Sequence, residues 1–326
     1  MSAKKLVISA IVALTAVSLV VAGYGFAEDF PTSKIKLICP WSAGGGTDRT
    51  ARKIADLAEE YLDVPVYVVN RTGGSGAVGH AAAAYAYPDG YTVGVMTMEI
   101  ATLKHLGFSR VTYEDITPVI QYNADPASIS VRDDFPADNV EELIELAEER
   151  DEKLRASHAG TGTAWHLAFA GFAREVGIAD EINYLSYNGA APSIKAVMGG
   201  EADVTASSAV EVYPQVEAGN MKVLAVMGGE RLTDILPDVP TLVEKGIDYT
   251  SGTWRGLAVP EGTPEERVEI LHEAFKKVYN SEEFQEFMKN QGFGLKYRGP
   301  NEFKQFIIDQ HQLFDQVIAQ LGIGAE

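Results

Sequence analysis

From residue 34 onward, short β-rich runs alternate with amphipathic helical segments, and that order leaves few folds open. Residues 34–39, 64–69 and 91–96 read as strands, and 48–61 reads as a helix. Such an alternation packs as an α/β sheet with parallel strands, because each helix buries its apolar stripe on the sheet. A second unit of the same kind follows. Residues 138–150 place Val140, Leu143, Ile144 and Ala147 on one helical face, with Asp138 and Glu141 spaced as a capping box. Strands are expected at 128–131 and 222–227, and helices around 163–176 and 193–198, the latter stopped by Gly199 and Gly200. Two closing helices come last: one from Pro264, with Thr263 as its cap, and one over 302–321 that buries Phe303, Phe306, Ile307, Phe314 and Val317.

About 300 residues would remain after removal of an N-terminal export segment, more than one core usually serves. The predicted division is one lobe from 28–123 plus 253–326 and a second from 124–252. The export segment itself is read from Lys4 and Lys5, the apolar run Leu6 to Ala22, and the small residues Gly25 and Ala27, with cleavage after about Ala27. The single cysteine, Cys39, makes no internal disulfide and stands far from the cleavage site. The full chain carries a formal charge of −19; removing residues 1–27 deletes two lysines and no acid, leaving about −21. A field of that sign repels nucleic acids and anionic lipids and makes them poor partners, so no nucleic-acid partner is expected.

The chemistry is concentrated in loops that lead from a strand into a helix. Pro40-Trp41-Ser42-Ala43-Gly44-Gly45-Gly46-Thr47-Asp48 lies between the first strand and the first helix. Its three glycines let backbone amides face a ligand, and a helix N-terminus stabilises an anion by roughly 0.3–1 kcal/mol when exposed and up to about 2 kcal/mol when partly buried. Without a Gly-Lys-Ser/Thr ending, the loop is no nucleotide cradle. His158-Ala159-Gly160-Thr161-Gly162-Thr163 is a second loop of the same kind. Two facing helix ends suit the two ends of a dicarboxylate. For His158 and His166 a satisfied structural role competes with ligand contact. No histidine and carboxylate set has metal spacing, so neither a metal nor any other cofactor is expected.

Two other patterns carry less. Gly74-x-Gly76-x-x-Gly79 follows a strand, with Glu99 twenty residues on, as in a dinucleotide fold. It follows the second strand, however, and leaves the first glycine loop without a purpose. Gly73-Gly74-Ser75-Gly76-Ala77 falls one residue short of a nucleophile elbow, and no His and Asp partners can be placed. No catalytic residue is assigned.

The residues resemble the extracytoplasmic receptors of tripartite tricarboxylate transporters, the Bug receptors, over nearly the whole mature chain. The resemblance rests on Phe30-Pro31, the loop 40–48, Asn70-Arg71 with the glycines to Gly79, and Pro88-Asp89-Gly90-Tyr91-Thr92. It continues through Ala159 to Gly162, Tyr187-Asn188-Gly189-Ala190-Ala191-Pro192, Gly199 to Asp203, and Thr253-Trp254 with Gly256. It implies a type II periplasmic-binding-protein fold: two α/β lobes joined by crossing strands, with the ligand cleft between them. It also implies a periplasmic monomer that takes up a small organic carboxylate and delivers it to membrane permease subunits. The implied ligand contacts are the loops Trp41 to Asp48 and Gly160 to Thr163, to which Thr97, Glu99, His158, His166, Asn188, Ser207 and Trp254 are added as candidates. The bound acid is left open among di- and tricarboxylates, acidic amino acids and aromatic acids. A binding protein that feeds a sensor kinase and an exported enzyme remain as other readings. Glu99 departs from the family's small or amide residue at that place, and a carboxylate there would repel a second one unless its pKa is shifted or the ligand carries a cation. Arg255, next to Trp254, either supplies the missing positive charge or forms a surface salt bridge.

Overall fold

The computed structural model describes residues 29–321 and 324, so the expected export segment at 1–27 lies outside the described residues. The elements below all belong to the unit that starts at Ser33. Strand β1 (Ile35–Cys39) buries nearly every side chain, as a central parallel strand covered on both faces does. It leads into α1 (Gly46–Leu62), which turns Ala51, Ile54, Ala55, Ala58 and Leu62 inward at helical spacing. Then come β2 (Val66–Asn70), α2 (Ala77–Ala84) and β3 (Thr92–Thr97). Because β1 pairs in parallel with both β2 and β3, the strand order is β2-β1-β3.

The long strand β4 (Ile116–Arg132) leaves this sheet and enters another. Its first part pairs with β9 (Gly252–Pro260) and β10 (Leu295–Arg298), and Ala127 to Arg132 pair with β7 (Val204–Ser208) and β8 (Met221–Val226), all antiparallel. Between the two visits the chain forms α3 (Val140–Glu149), β5 (Leu154–His158), α4 (Ala164–Glu175), β6 (Ile182–Ser186), α5 (Ala190–Met198) and, after β7, α6 (Ala209–Glu217). Here β5 is the middle strand, parallel to β6 and β7. Helix α7 (Glu265–Asn280) packs on α1; α8 (Glu282–Asn290) follows, and α9 (Pro300–Leu321) packs on β4.

The sequence expectations shift at three places. The cap of α3 is Asn139, whose side chain accepts from the Glu142 amide at 2.9 Å, while Glu142 accepts from the Asp138 amide at 2.7 Å; the capping pair sits one residue beyond Asp138 and Glu141. Thr263 does not cap α7: its hydroxyl donates to the Pro260 carbonyl at 2.7 Å, and the helix starts after Pro264. The strand foreseen at 128–131 is the last part of β4, whose Pro118 and Pro126 obscured its length. No helix among the described residues is long and apolar enough to cross a membrane.

In both sheets the first strand of its βαβ pair is central, so the chain departs to opposite sides after β1 and after β5. That divergence opens a crevice at the carboxyl end of each strand, the place where open α/β sheets bind ligands.

Candidate functional site

Both crevices open on one cavity of about 20 Å³, room for about a single water. Trp41, Ser42, Gly45, Thr47, Thr97 and Glu99 line it from the first sheet's loops, and Ala159, Ala164, Trp165, Ala190 and Glu211 from the second's. Thr253 and Arg255 reach it from β9.

The helix ends that face this cavity are closed reciprocally. Glu99, in the turn after β3, accepts from the Ala164 amide at the start of α4 at 2.9 Å. Glu211, in the first turn of α6, accepts from the Gly46 amide at the start of α1 at 2.6 Å. Each carboxylate therefore crosses the cleft to the positive end of the opposing helix. The second oxygen of Glu99 takes the Thr97 hydroxyl at 2.5 Å, and Thr97 also accepts from the Trp41 indole at 3.2 Å. The second oxygen of Glu211 is buried, and beyond Gly46 only the Ser208 amide donates, weakly, to this carboxylate. Burial raises the pKa of both groups: for Glu99 against the pull of the Ala164 amide and Thr97, for Glu211 against Arg255, the Gly46 amide and, more weakly, the Ser208 amide.

Arg255 is the cation at the site and is almost fully buried. Its Nη1 donates to Asn123 at 2.5 Å and to Asp125, its Nε donates to Thr47 at 2.9 Å, and its Nη2 stands 3.9 Å from Glu211. Asn123 and Asp125 lie on β4, so this network ties both crossing strands to the first turn of α1. The Gly46 backbone is pressed between Glu211 and Arg255: a Cβ there would meet Glu211 Oε1 at 2.8 Å and Arg255 Nη2 at 2.9 Å.

Of the residues singled out from the sequence, Trp41, Ser42, Gly45, Thr47, Thr97 and Glu99 come together at the cavity, and the others are placed elsewhere. Ala43 and Gly44 are exposed. Asp48 braces the loop from behind, accepting from the Gly44 amide, Asn70 and Arg52 at 2.8–3.0 Å. Burial works to raise its pKa, and these donors outweigh it and hold it low. Gly46 meets Glu211 as described. Asn188 offers its carbonyl to the Ser42 hydroxyl, a bond across the cleft rather than a lining contact.

The second loop differs most from expectation. Gly160, Gly162 and Thr163 are absent from the lining, which the flanking Ala159, Ala164 and Trp165 supply, and Thr161 is exposed. The amides of Gly160 and Gly162 are donated to imidazoles, to His158 Nδ1 at 3.1 Å and His166 Nδ1 at 2.9 Å, and the Thr163 hydroxyl to the Gly160 carbonyl at 2.7 Å. The two rings meet at a tilt with centroids 4.5 Å apart, and burial, for His158 with its neighbour's help, lowers their pKa values to about 3 and about 4. They brace the loop as neutral rings and do not line the cavity. Ser207 is buried on β7 away from the cavity. Trp254 points to the other side of β9, edge-on to Phe303 and Phe306 of α9. Strand alternation could have told these apart, since Thr253 and Arg255 share one face of β9 and Trp254 must take the other. No local signal identifies Glu211, which meets Gly46 from 165 residues away. Among the described residues no cluster of three or more His, Cys, Asp or Glu side chains is placed to hold a metal.

Residues 50–323 match the family described as the tripartite tricarboxylate transporter family receptor. The chain belongs to this family. A UPF0065 protein of Bordetella pertussis is 31% identical to this receptor over 312 residues, 94% of each chain. A solved R. palustris protein with adipate is 28% identical and has a TM-score of 0.86 over 91% of this chain and 99% of its own. A TctC solute-binding protein from Polaromonas, solved with no ligand, is 35% identical and has a TM-score of 0.65 over 90% of this chain and 100% of its own. The receptor thus has the two-lobed periplasmic-binding-protein fold, and its relatives are solute-binding proteins rather than enzymes.

Proposed function

We propose that this receptor captures a small organic carboxylate between its lobes, 28–123 plus 253–326 and 124–252, and hands it to the permease subunits of a tripartite transporter. It acts as an exported, periplasmic monomer, cleaved after about Ala27, with no nucleic-acid partner. The observation that carries this reading is the reciprocal closure: the starts of α1 and α4 each hold a carboxylate delivered across the cleft. Carboxylate is therefore the chemistry these helix ends accept, and the ligand acid meets the same amides with Arg255 beside them. The tight cavity and the Ser42–Asn188 bond across it describe a closed cleft. The higher TM-score to the adipate complex than to the ligand-free relative, despite lower identity, supports the same reading. Entry of a ligand requires the lobes to part by a hinge motion, which β4 and β9 are placed to absorb.

The test is a thermal-shift screen of the protein, purified after expression of the full-length chain, against C3 to C8 dicarboxylates, citrate, acidic amino acids and aromatic acids. An acid at about 100 times its Kd adds roughly 2.7 kcal/mol of stability. A melting temperature unmoved by every acid, in protein first stripped of any co-purified ligand by unfolding and refolding, would overturn the proposal.

A further inference from the structure

The inner cavity has room for about a single water, so with the cleft closed the carbon body of a bound acid extends beyond it. A second cavity, of about 340 Å³, adjoins it. Gly45 and Glu211 line both and form the wall between them. The cavities beside α9 and at residues 231–235, by contrast, share no lining residue with the inner one. The outer cavity also bridges the cleft: Arg49 of α1 lines it from one side, and Ile194, Lys195 and Met198 of α5 line it from the other.

The charged groups of this outer cavity are two bases and one acid. The acid is already committed, because Glu211 accepts from the Gly46 amide and stands 3.9 Å from Arg255. The bases are not. Arg49 is half-buried, with its guanidinium 5.3 Å from the centre of the Phe293 ring, and among the described residues it has no ion pair or side-chain hydrogen bond. Burial pushes its pKa down, and Glu211 offsets this only from a distance. Lys195 is exposed and likewise unpaired among the described residues. A half-buried cation without a counter-charge is costly, and a guanidinium fork meets a carboxylate in two parallel bonds. In a chain of formal charge −19, two free cations that face one cavity from opposite sides of the cleft mark a place for an anion.

Resting on the carboxylate reading above, we infer that the outer cavity is a second anion site and that the ligand is an α,ω-dicarboxylate: one carboxylate enters the inner cavity, and the other lies between Arg49 and Lys195. Ile194 and Met198 offer apolar surface to the chain between them. Because Arg49 belongs to α1 and Lys195 to α5, the far carboxylate also ties the two sides of the cleft together.

Acids of equal chain length that differ only by the far carboxylate decide the point. Calorimetric titration of the stripped protein compares succinate with butyrate, glutarate with pentanoate, adipate with hexanoate, and suberate with octanoate. The diacid of at least one pair is expected to bind tenfold or more tightly than its partner. In Arg49→Gln/Lys195→Gln that ratio is expected to fall tenfold or more, and in Lys195→Gln, a change at an exposed position, it is expected to fall at least threefold. If the monoacids bind as tightly as the diacids, or if the ratio survives in both variants, the inference fails while the carboxylate reading stands. The same holds if no member of any pair binds but another acid does. If no acid of any kind binds, the carboxylate reading fails, and the inference with it. The wild-type comparison and Lys195→Gln decide even if the double variant does not fold.

Discussion

At the start of α4, Glu99 arrives with both oxygens engaged, one by the Ala164 amide and one by Thr97. At the start of α1, Glu211 arrives with one oxygen engaged by Gly46 and the other buried, with only the weak pull of the Ser208 amide on the carboxylate. The same device thus closes both helix ends, but only one closure is complete. The loops behind them differ in the same sense. The α4 loop is held by His158, His166 and Thr163, and its glycine amides are spent within its own lobe. The α1 loop has Asp48 behind it, and its Gly46 amide is spent on a side chain from across the cleft. The α4 side is therefore a fixed wall, and the α1 side is where a ligand acid can substitute for a protein one.

The contrast breaks most severely at Arg255, which is hydrogen-bonded to the first turn of α1 through Thr47. Arg255→Met leaves Asp125 buried without its cation, and denaturant unfolding is expected to show a loss of about 3–5 kcal/mol, as for other broken buried pairs. A loss below 1 kcal/mol would show that the buried Arg255–Asp125 pair contributes little to the fold.

Next in size is a pH effect on the α4 wall. The folded pKa values of His158 and His166, about 3 and about 4, lie below the unfolded value near 6.5. Between these limits the unfolded chain binds the extra protons, so the pair's contribution is full above pH 6.5 and is lost as pH falls toward 4. Each ring contributes up to about 1.4 kcal/mol per pH unit in that window. Glu99 and Glu211, with raised pKa values, act in the opposite sense, so the measurement is a difference. Between pH 6 and 5, wild type is expected to lose about 2–3 kcal/mol more than His158→Asn/His166→Asn. Equal slopes would place the histidines in contact with water.

The smallest effect separates neighbours in the α1 loop. The sequence did not tell the three loop glycines apart, yet Gly45 has φ −75° and a Cβ there makes only ordinary contacts, whereas at Gly46 it would press on Glu211 and Arg255. Gly46→Ala is expected to weaken acid binding about tenfold, near 1.4 kcal/mol, and Gly45→Ala by less than twofold, both read by calorimetry. The reverse order would move the anion position one residue back.

The alternation of strands and helices was legible because it is local. Periodicity and caps placed β1, α1, β3 and α4 within a residue or two of their observed bounds, and the glycine loops marked the two crevices. What stayed hidden was long-range. Whether Gly160 and Gly162 present their amides to a ligand depends on where two imidazoles point, and the partner of Gly46 lies on a helix that the sequence did not resolve. Trp254 sits apart from the cavity for a simpler reason: it adjoins Arg255, but strand alternation sends the two to opposite faces.

The central claim, an acid bound between the two loops, is tested most directly by tryptophan emission. Trp41 and Trp165 line the cavity from opposite sides, and Trp254, the third tryptophan of the chain, is buried against Phe303 and Phe306. The protein is titrated with the acid that gives the largest thermal shift, alongside Trp41→Phe/Trp165→Phe, which keeps Trp254 alone. The account predicts a saturable change of emission in the wild type and little or none in the variant. A change of equal size in the variant, or no change in wild type with an acid that raises its melting temperature, would place the ligand elsewhere.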